Sequence, residues 1–427
     1  MVAKATKDRI GILVGGGPAP GINGVIYAAT MEACRHNLDV FGIYNGFKYL
    51  IDGQLVGIPL LPETVAYIHQ EGGSILHTAR ANPTKSAGAL EKCVKTLLDA
   101  GITCLVSIGG DDTAYSASQV ARYAQETMGT CLCSVHIPKT IDNDLPLPDD
   151  IPTFGYETAR SLGAQLTMNL KRDAATNHHW FLVLTMGRKA GHLALGIGTS
   201  AVATLTLIPE EWDGQKIRLQ EVVDILATSV LIRLLEGKPY GVAILAEGIL
   251  ENLAVEDLKA LDHVQRDEHG HIRLAEVNFL DILKQNLDRD LTHMGVRTRF
   301  IKHTLGYELR CARPTAYDIE YTRSLGEAAI DFLVEGGSNA IITVQKGQIV
   351  PIPYDQMIDP ETGRTGVRMV NINSYHYQSS YKFMARLKSE HAHNEALFER
   401  LAALTDLTCA EFKERYGYLA GVAPRPF

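Results

Sequence analysis

The chain has 427 residues, a formal net charge of −8 and 46% hydrophobic residues. That length suits two ordinary domains with cores of their own. The acidic balance argues against nucleic acid as the main partner, which leaves a basic footprint on its binders, but a local basic pocket for a small anion remains compatible with it.

Taken in chain order, apolar strand-like runs recur, each followed by a polar turn and a helix-like segment. Ile10–Val14 leads into GGGPAPG and a helix from about Ile22 to His36. The start, MVAKATKDRIGILVGGG, is short and polar before it becomes a strand. It predicts no signal peptide. Ile102–Ile108 leads into GGDD and a helix from about Thr113 to Met128. Cys131–Ile137 leads into PKTIDND, and the proline-rich LPLPDDIPT (145–153) predicts a crossing between domains. Trp180–Thr185 leads into MGRKAG, and Val242–Ala246 into EG. The uncharged run His192 to Pro209 reads as a buried helix entering a strand rather than a membrane span. A second crossing is expected near Arg310–Pro314, and NAIITVQKGQIVPIP reads as a hairpin turning at Lys346-Gly347. The tail beyond about Asp359 predicts helices without a motif. Strands alternating with helices predict an α/β fold with mostly parallel sheets, and ligands at the C-terminal ends of the strands. Seven scattered cysteines without a CxxC pair predict reduced thiols in a cytoplasmic protein.

The polar turns carry the chemistry. Gly16 and Gly17 let a phosphate approach the backbone, although a tight strand-to-helix turn alone explains them equally well. Asp111 at a strand end suits Mg²⁺, which takes one or two carboxylates plus phosphate oxygens. Capping would account for one aspartate there, but not for Asp111 and Asp112 together. PKTIDND packs Lys139, Thr140, Asp142 and Asp144 behind one strand. A carboxylate there could take a hydroxyl proton and the lysine could face a phosphoryl group; an Asx-rich turn is the competing reading. Arg188 suits a phosphate, Glu247 sugar hydroxyls, and Tyr307 with Arg310 a further phosphate, each against the plain alternative of a solvated surface. His269, His271, His391 and His393 lack the company of a zinc site.

In order and spacing, GGGPAPG, GGDDT, PKTIDND, TFGYETA, MGR, AEG and GYELR resemble the phosphofructokinase family over roughly residues 9–345. The resemblance implies two Rossmann-like domains with the active site between them, and Mg²⁺-dependent phosphoryl transfer to the 1-hydroxyl of fructose 6-phosphate. With the expected crossings, it implies a donor domain over 1–150 plus about 312–350 and a sugar-phosphate domain over 151–311; the tail over 351–427 carries none of the resemblance and is expected as a helical extension. By the same resemblance Asp142 matches the general base, Asp144 its companion, Thr140 a transition-state donor and Asp111 the metal-side aspartate. Arg80 matches an arginine near the transferred phosphoryl, and Gly16, Gly17 and Gly110 line the donor. Met186, Gly187, Arg188, Glu247, Tyr307 and Arg310, together with Thr140 and Asp142, match substrate positions.

Where ATP-using members read GGDG, this chain has Asp112. A carboxylate about 4 Å from a nucleotide phosphate would cost about 4 kcal/mol at an effective dielectric of ~20. Together with Lys139, Asp112 resembles the pyrophosphate-using branch, which implies pyrophosphate as donor and a readily reversible reaction. An ATP-dependent enzyme and a non-catalytic sugar-phosphate-binding paralogue are the alternatives. His179 stands where the bacterial ATP enzymes carry an arginine that reaches the neighbouring subunit's substrate, and a second arm arginine aligns with Arg299 or Lys302, of which Lys302 is favoured. A homodimer or homotetramer is implied, with no nucleic-acid or membrane partner.

Overall fold

The computed structural model describes residues 9–148, 151–259, 278–357 and 366–425. His269 and His271 lie outside them. The chain forms two units: Met1–Ala159 with Tyr307–Arg368, and Arg160–Gly306 with Met369–Phe427.

The first unit is built on a seven-stranded sheet. Its strands are β1 (Arg9–Val14), β2 (Asp39–Ile43), β3 (Gly57–Leu60), β4 (Ile102–Gly109), β5 (Cys133–Pro138), and, late in the chain, Ala340–Gln345 and Gln348–Pro353. The last two are strands ten and eleven of the chain, and the spatial order is 11-10-5-4-1-2-3. The five central strands run parallel. Only the edges, β3 and Gln348–Pro353, are antiparallel. Successive side chains of β1 point to opposite faces. Ile10, Ile12 and Val14 pack with the helices Ile22–Arg35 and Ala316–Val334, through Ile22, Val25, Ile26, Leu325 and Ala329. Leu13, on the other face, packs with the helices Ala89–Asp99 and Asp111–Glu126, through Val94, Leu97, Ala117 and Val120. Helices therefore cover both faces, which is why the central strands read as continuous apolar runs.

The second unit carries a parallel sheet of β6 (Trp180–Thr185), β7 (Leu205–Leu207), β8 (Gly241–Ala246) and β9 (Phe300–Leu305), in the order β7-β8-β6-β9. Every residue of β6 and β8 is buried. The run His192–Pro209 is a helix, His192–Ala201, followed by β7. No helix among the described residues is long and apolar enough to cross a membrane.

Three boundaries differ from the sequence expectation. The segment expected to cross between domains, 145–153, stays with the first unit, and the chain passes into the second within the helix Tyr156–Asn177. The reason is local bonding. Asp318 accepts from Gly155 N (2.9 Å), Thr158 N (2.8 Å) and Thr158 Oγ1 (2.5 Å), which ties the helix start to the first unit. The return division falls at Gly306/Tyr307 rather than near Arg310–Pro314. The tail is not one extension. Gln348–Pro353 completes the first sheet, with Tyr354 and Met357 packed against Ile341. Met384, Leu387, Phe398, Phe412 and Tyr416 are instead part of the second unit's core.

Candidate active site

In the first unit the polar turns gather at the C-terminal ends of β1, β4 and β5. The glycines there divide their roles. A Cβ on Gly15 would lie 2.3 Å from Thr113 Oγ1, and one on Gly109 would lie 2.5 Å from Thr113 Cβ. Both glycines thus let the Thr113 side chain sit between the two strand ends. Gly16 has φ +81 and stands beside Lys139 Nζ, which would be 3.3 Å from its Cβ; a Cβ on Gly17 would meet the Arg310 guanidinium at 3.6 Å. Thr78 Oγ1 donates to Gly16 O at 2.6 Å, and Gly16 N to Ala79 O at 3.1 Å, which sets Arg80 next to this turn.

Lys139 is the centre of that arrangement. It is buried, its backbone N–H donates to Gly109 O, and its Nζ donates to Gly17 O. Burial, then Arg310, push its ammonium down to about 8; Asp142 pulls upward, Arg80 down again, and Asp144 upward. The structure therefore brings Lys139, Arg310, Arg80, Asp142, Asp144, Gly16 and Gly17 into one electrostatic neighbourhood. Thr140 Oγ1 accepts from Asp142 N at 3.0 Å, and Thr140 O accepts from Thr153 Oγ1 at 2.7 Å. Arg310 lies over the Tyr307 ring, 5.0 Å from its centroid.

The aspartate pair differs in placement from a simple cap. The helix begins at Asp111, not Thr113, and its N-cap is Gly110, with no side-chain cap bond. Both carboxylates stand in the first turn, where the helix dipole favours negative charge. Asp111 Oδ1 accepts from Asp112 N at 2.9 Å, and Asp112 is exposed. Position Gly110 faces Lys139 O, 3.8 Å from where its Cβ would be. One carboxylate at a phosphate-approach turn is a donor set that fits Mg²⁺, which keeps waters and phosphate oxygens for the rest of its shell.

Beneath this turn lies a residue the sequence reading missed. His136 is buried; its Nε2–H donates to Gly109 O at 2.9 Å, so its Nδ1 accepts from Ser107 Oγ at 2.9 Å. Burial is the main cause pushing the imidazole down to about 3, so it is neutral. A histidine inside a β-run, two before a proline, was the available signal.

In the second unit Met186, Gly187 and Arg188 follow β6, and Glu247 follows β8. Glu247 N donates to Thr185 O at 3.0 Å and Gly248 N to Gly187 O at 3.1 Å, which joins the two loops. Gly187 has φ +124, and a Cβ on Gly248 would lie 2.8 Å from Arg188 O. Met186 packs on Gly306, with Cε 3.1 Å from its Cβ position. Glu210, also missed from sequence, holds this region: its Oε1 accepts from Gly191 N at 2.8 Å and Val370 N at 3.0 Å. Lys302 and His179 stand apart from these loops. Lys302 is paired with Leu182 in the β6–β9 register, three residues upstream of the strand ends, and is ion-paired with Asp281. His179 precedes β6, at the opposite end from Met186, and its Nε2 lies 3.0 Å from Asp173 Oδ2. A strand of that length spans roughly 20 Å.

Parallel α/β units with glycine turns, cations and carboxylates at their strand ends are the architecture of an enzyme that handles phosphorylated substrates. The chain belongs to the phosphofructokinase family, whose model matches residues 9–333. It is 47% identical to the pyrophosphate–fructose 6-phosphate 1-phosphotransferase of Thermotoga maritima over 96% of this chain and 98% of that protein. It is 44% identical to the protein of the same name from Naegleria fowleri over 98% of this chain and 97% of that one. Among solved structures, the pyrophosphate-dependent phosphofructokinase of Marinobacter aquaeolei shares the fold, with a TM-score of 0.68 at 17% identity over 93% of this chain and 91% of that one. The expected family and α/β fold class are borne out.

Proposed function

We propose that this protein transfers a phosphoryl group from inorganic pyrophosphate to the 1-hydroxyl of fructose 6-phosphate, giving fructose 1,6-bisphosphate and phosphate in a readily reversible reaction. The observation that carries the donor assignment is the buried Lys139 between the Gly17 carbonyl, Arg310 and Arg80, next to a GGDD turn in which Asp112 replaces glycine. Lys139 and Arg80 neutralise pyrophosphate and the departing phosphate; Gly16, Gly17 and Gly110 give it backbone access. Asp142 accepts the proton of the 1-hydroxyl as the oxygen attacks phosphorus, Thr140 orients the Asp142 backbone, and Asp144 tempers the local positive charge. Asp111 would hold Mg²⁺, which when bound would neutralise charge on the donor. Phosphoryl transfer depends mainly on such positioning and charge neutralisation. By the family resemblance Arg188, Glu247, Met186 and Gly187 serve the sugar phosphate, and Tyr307 and Arg310 are likewise substrate positions. Lys302, held by Asp281, takes a lesser part.

The test is a donor comparison with purified protein, Mg²⁺ and fructose 6-phosphate. Formation of fructose 1,6-bisphosphate with pyrophosphate and not with ATP is the expected result. Turnover with ATP alone would overturn the donor assignment and leave the family intact. Light scattering on the same preparation is expected to give a homodimer or homotetramer.

A further inference from the structure

The loop that carries Asp142 and Asp144 is gripped by a side chain from far along the chain. Arg368 is buried, and its guanidinium spends its donors on main-chain carbonyls and one amide of that loop. Nε donates to Asn143 O at 3.2 Å. Nη2 donates to Asn143 O at 3.1 Å and also to Asn143 Oδ1. Nη1 donates to Ile151 O at 2.7 Å, Pro148 O at 3.0 Å and Leu147 O at 3.4 Å. The Arg368 backbone N–H adds a bond to Asp144 O at 2.9 Å.

The gripped residue is the one between the two aspartates. Asn143 has φ +56, a left-handed conformation that asparagine tolerates better than most residues but that still needs support. Its Oδ1 accepts from Thr153 N at 3.0 Å as well as from Arg368, and Thr153 Oγ1 in turn donates to Thr140 O. Arg368 and Thr153 thus fix both ends of the Thr140–Asp144 turn. A planar fork of five N–H groups is suited to several carbonyls at once; a lysine offers one point donor and cannot reproduce it. Arg368 also lies beyond residue 333, where the family match ends.

We infer that Arg368 is a positioning residue for catalysis, locking the Thr140–Asp144 turn so that Asp142 meets the reacting hydroxyl at the right place. The inference rests on the phosphotransfer reading for its kinetic part. A displacement of about 1 Å in a catalytic group costs on the order of a hundredfold in rate.

The experiment uses the full-length protein and begins with the wild type, because absence of its turnover with pyrophosphate overturns the functional reading without touching Arg368. Arg368→Lys and Arg368→Ala are then compared by steady-state kinetics, thermal melting and amide hydrogen exchange. The expected result is a kcat about ten- to a hundredfold lower, with KM for both substrates within about threefold. Exchange should rise in 140–153 and not elsewhere, and added guanidinium, but not methylammonium, should restore part of kcat in Arg368→Ala. A folded Arg368→Lys with kcat within twofold of wild type overturns the inference. So does a loss of melting temperature with exchange rising throughout the unit, which marks a role in general stability only. The exchange arm decides the positioning of the turn even where turnover is absent.

Discussion

The backbone N–H of Lys139 donates to the carbonyl of Gly109 at 2.8 Å, so the end of β5 and the end of β4 are one hydrogen-bonded step apart. That bond sets the PKTIDND turn beside the GGDD turn. It also places the Lys139 ammonium in a buried site, where it loses its proton at about pH 8. If its charge serves pyrophosphate, kcat/KM for pyrophosphate declines above about pH 8. Lys139→Arg is expected to move that limb upward, because a guanidinium stays charged. The stability sign follows from the same shift. Between about 8 and the ordinary 10.5 the unfolded chain holds a proton that the folded chain has shed, so stability from this group rises with pH across that window. Denaturant melts of wild type and Lys139→Met between pH 7 and 10 check it.

Replacing Asp142 by asparagine removes the proposed proton acceptor with almost no change of shape. The expected outcome is a kcat lower by about a hundred- to ten-thousandfold, with pyrophosphate binding retained. Calorimetric titration alongside the assay separates the two.

Asp112 is exposed, which lowers what its charge can do. In a water-like dielectric a like charge at about 4 Å costs about 1 kcal/mol rather than the ~4 kcal/mol of a half-dry site. Asp112→Gly is therefore expected to improve ATP use relative to pyrophosphate by about five- to tenfold from charge alone, more if the side chain also occupies nucleotide space. An unchanged donor ratio would remove Asp112 from the account of specificity.

His136 is neutral in the folded protein, with its proton loss pushed to about 3. Between about 3 and the ordinary 6.5 the unfolded chain binds a proton that the folded chain does not. Stability from this group is complete above that window and is lost as pH falls through it. His136→Gln keeps a donor for Gly109 O and is expected to flatten the acid limb of the stability curve. His136→Ala removes the donor and opens a void, costing about 2–4 kcal/mol.

Asp318 carries three bonds to Gly155 and Thr158, and removing it leaves two buried N–H groups without acceptors. Asp318→Ala is expected to cost about 3 kcal/mol, read as a melting temperature several degrees lower, while Asp318→Asn loses less.

Much of the candidate site was legible because its residues cluster in sequence. Lys139, Thr140, Asp142 and Asp144 fall within one turn, and strand alternation with glycine turns announced where that turn would stand. Capping as an explanation of GGDD could be judged only in the structure, since it depended on whether the helix starts at Asp111 or Thr113. The TFGYETA motif had no reading of its own until Asp318 supplied the acceptor for Gly155 and Thr158. Lys302 entered through its alignment with the family's arm arginine, and its ion pair with Asp281, 21 residues away on a helix, could be seen only in the structure.

The order of glycine, aspartate and lysine motifs determined the family and the α/β class, because those motifs sit at strand ends and local spacing dictates their geometry. Which side chains hold those motifs in place was decided by tertiary structure alone. Thr113 between Gly15 and Gly109, His136 beneath Gly109, and Arg368 around Asn143 are contacts between segments distant in the chain. A buried donor must find its acceptor wherever the fold brings one, and no local pattern encodes that meeting.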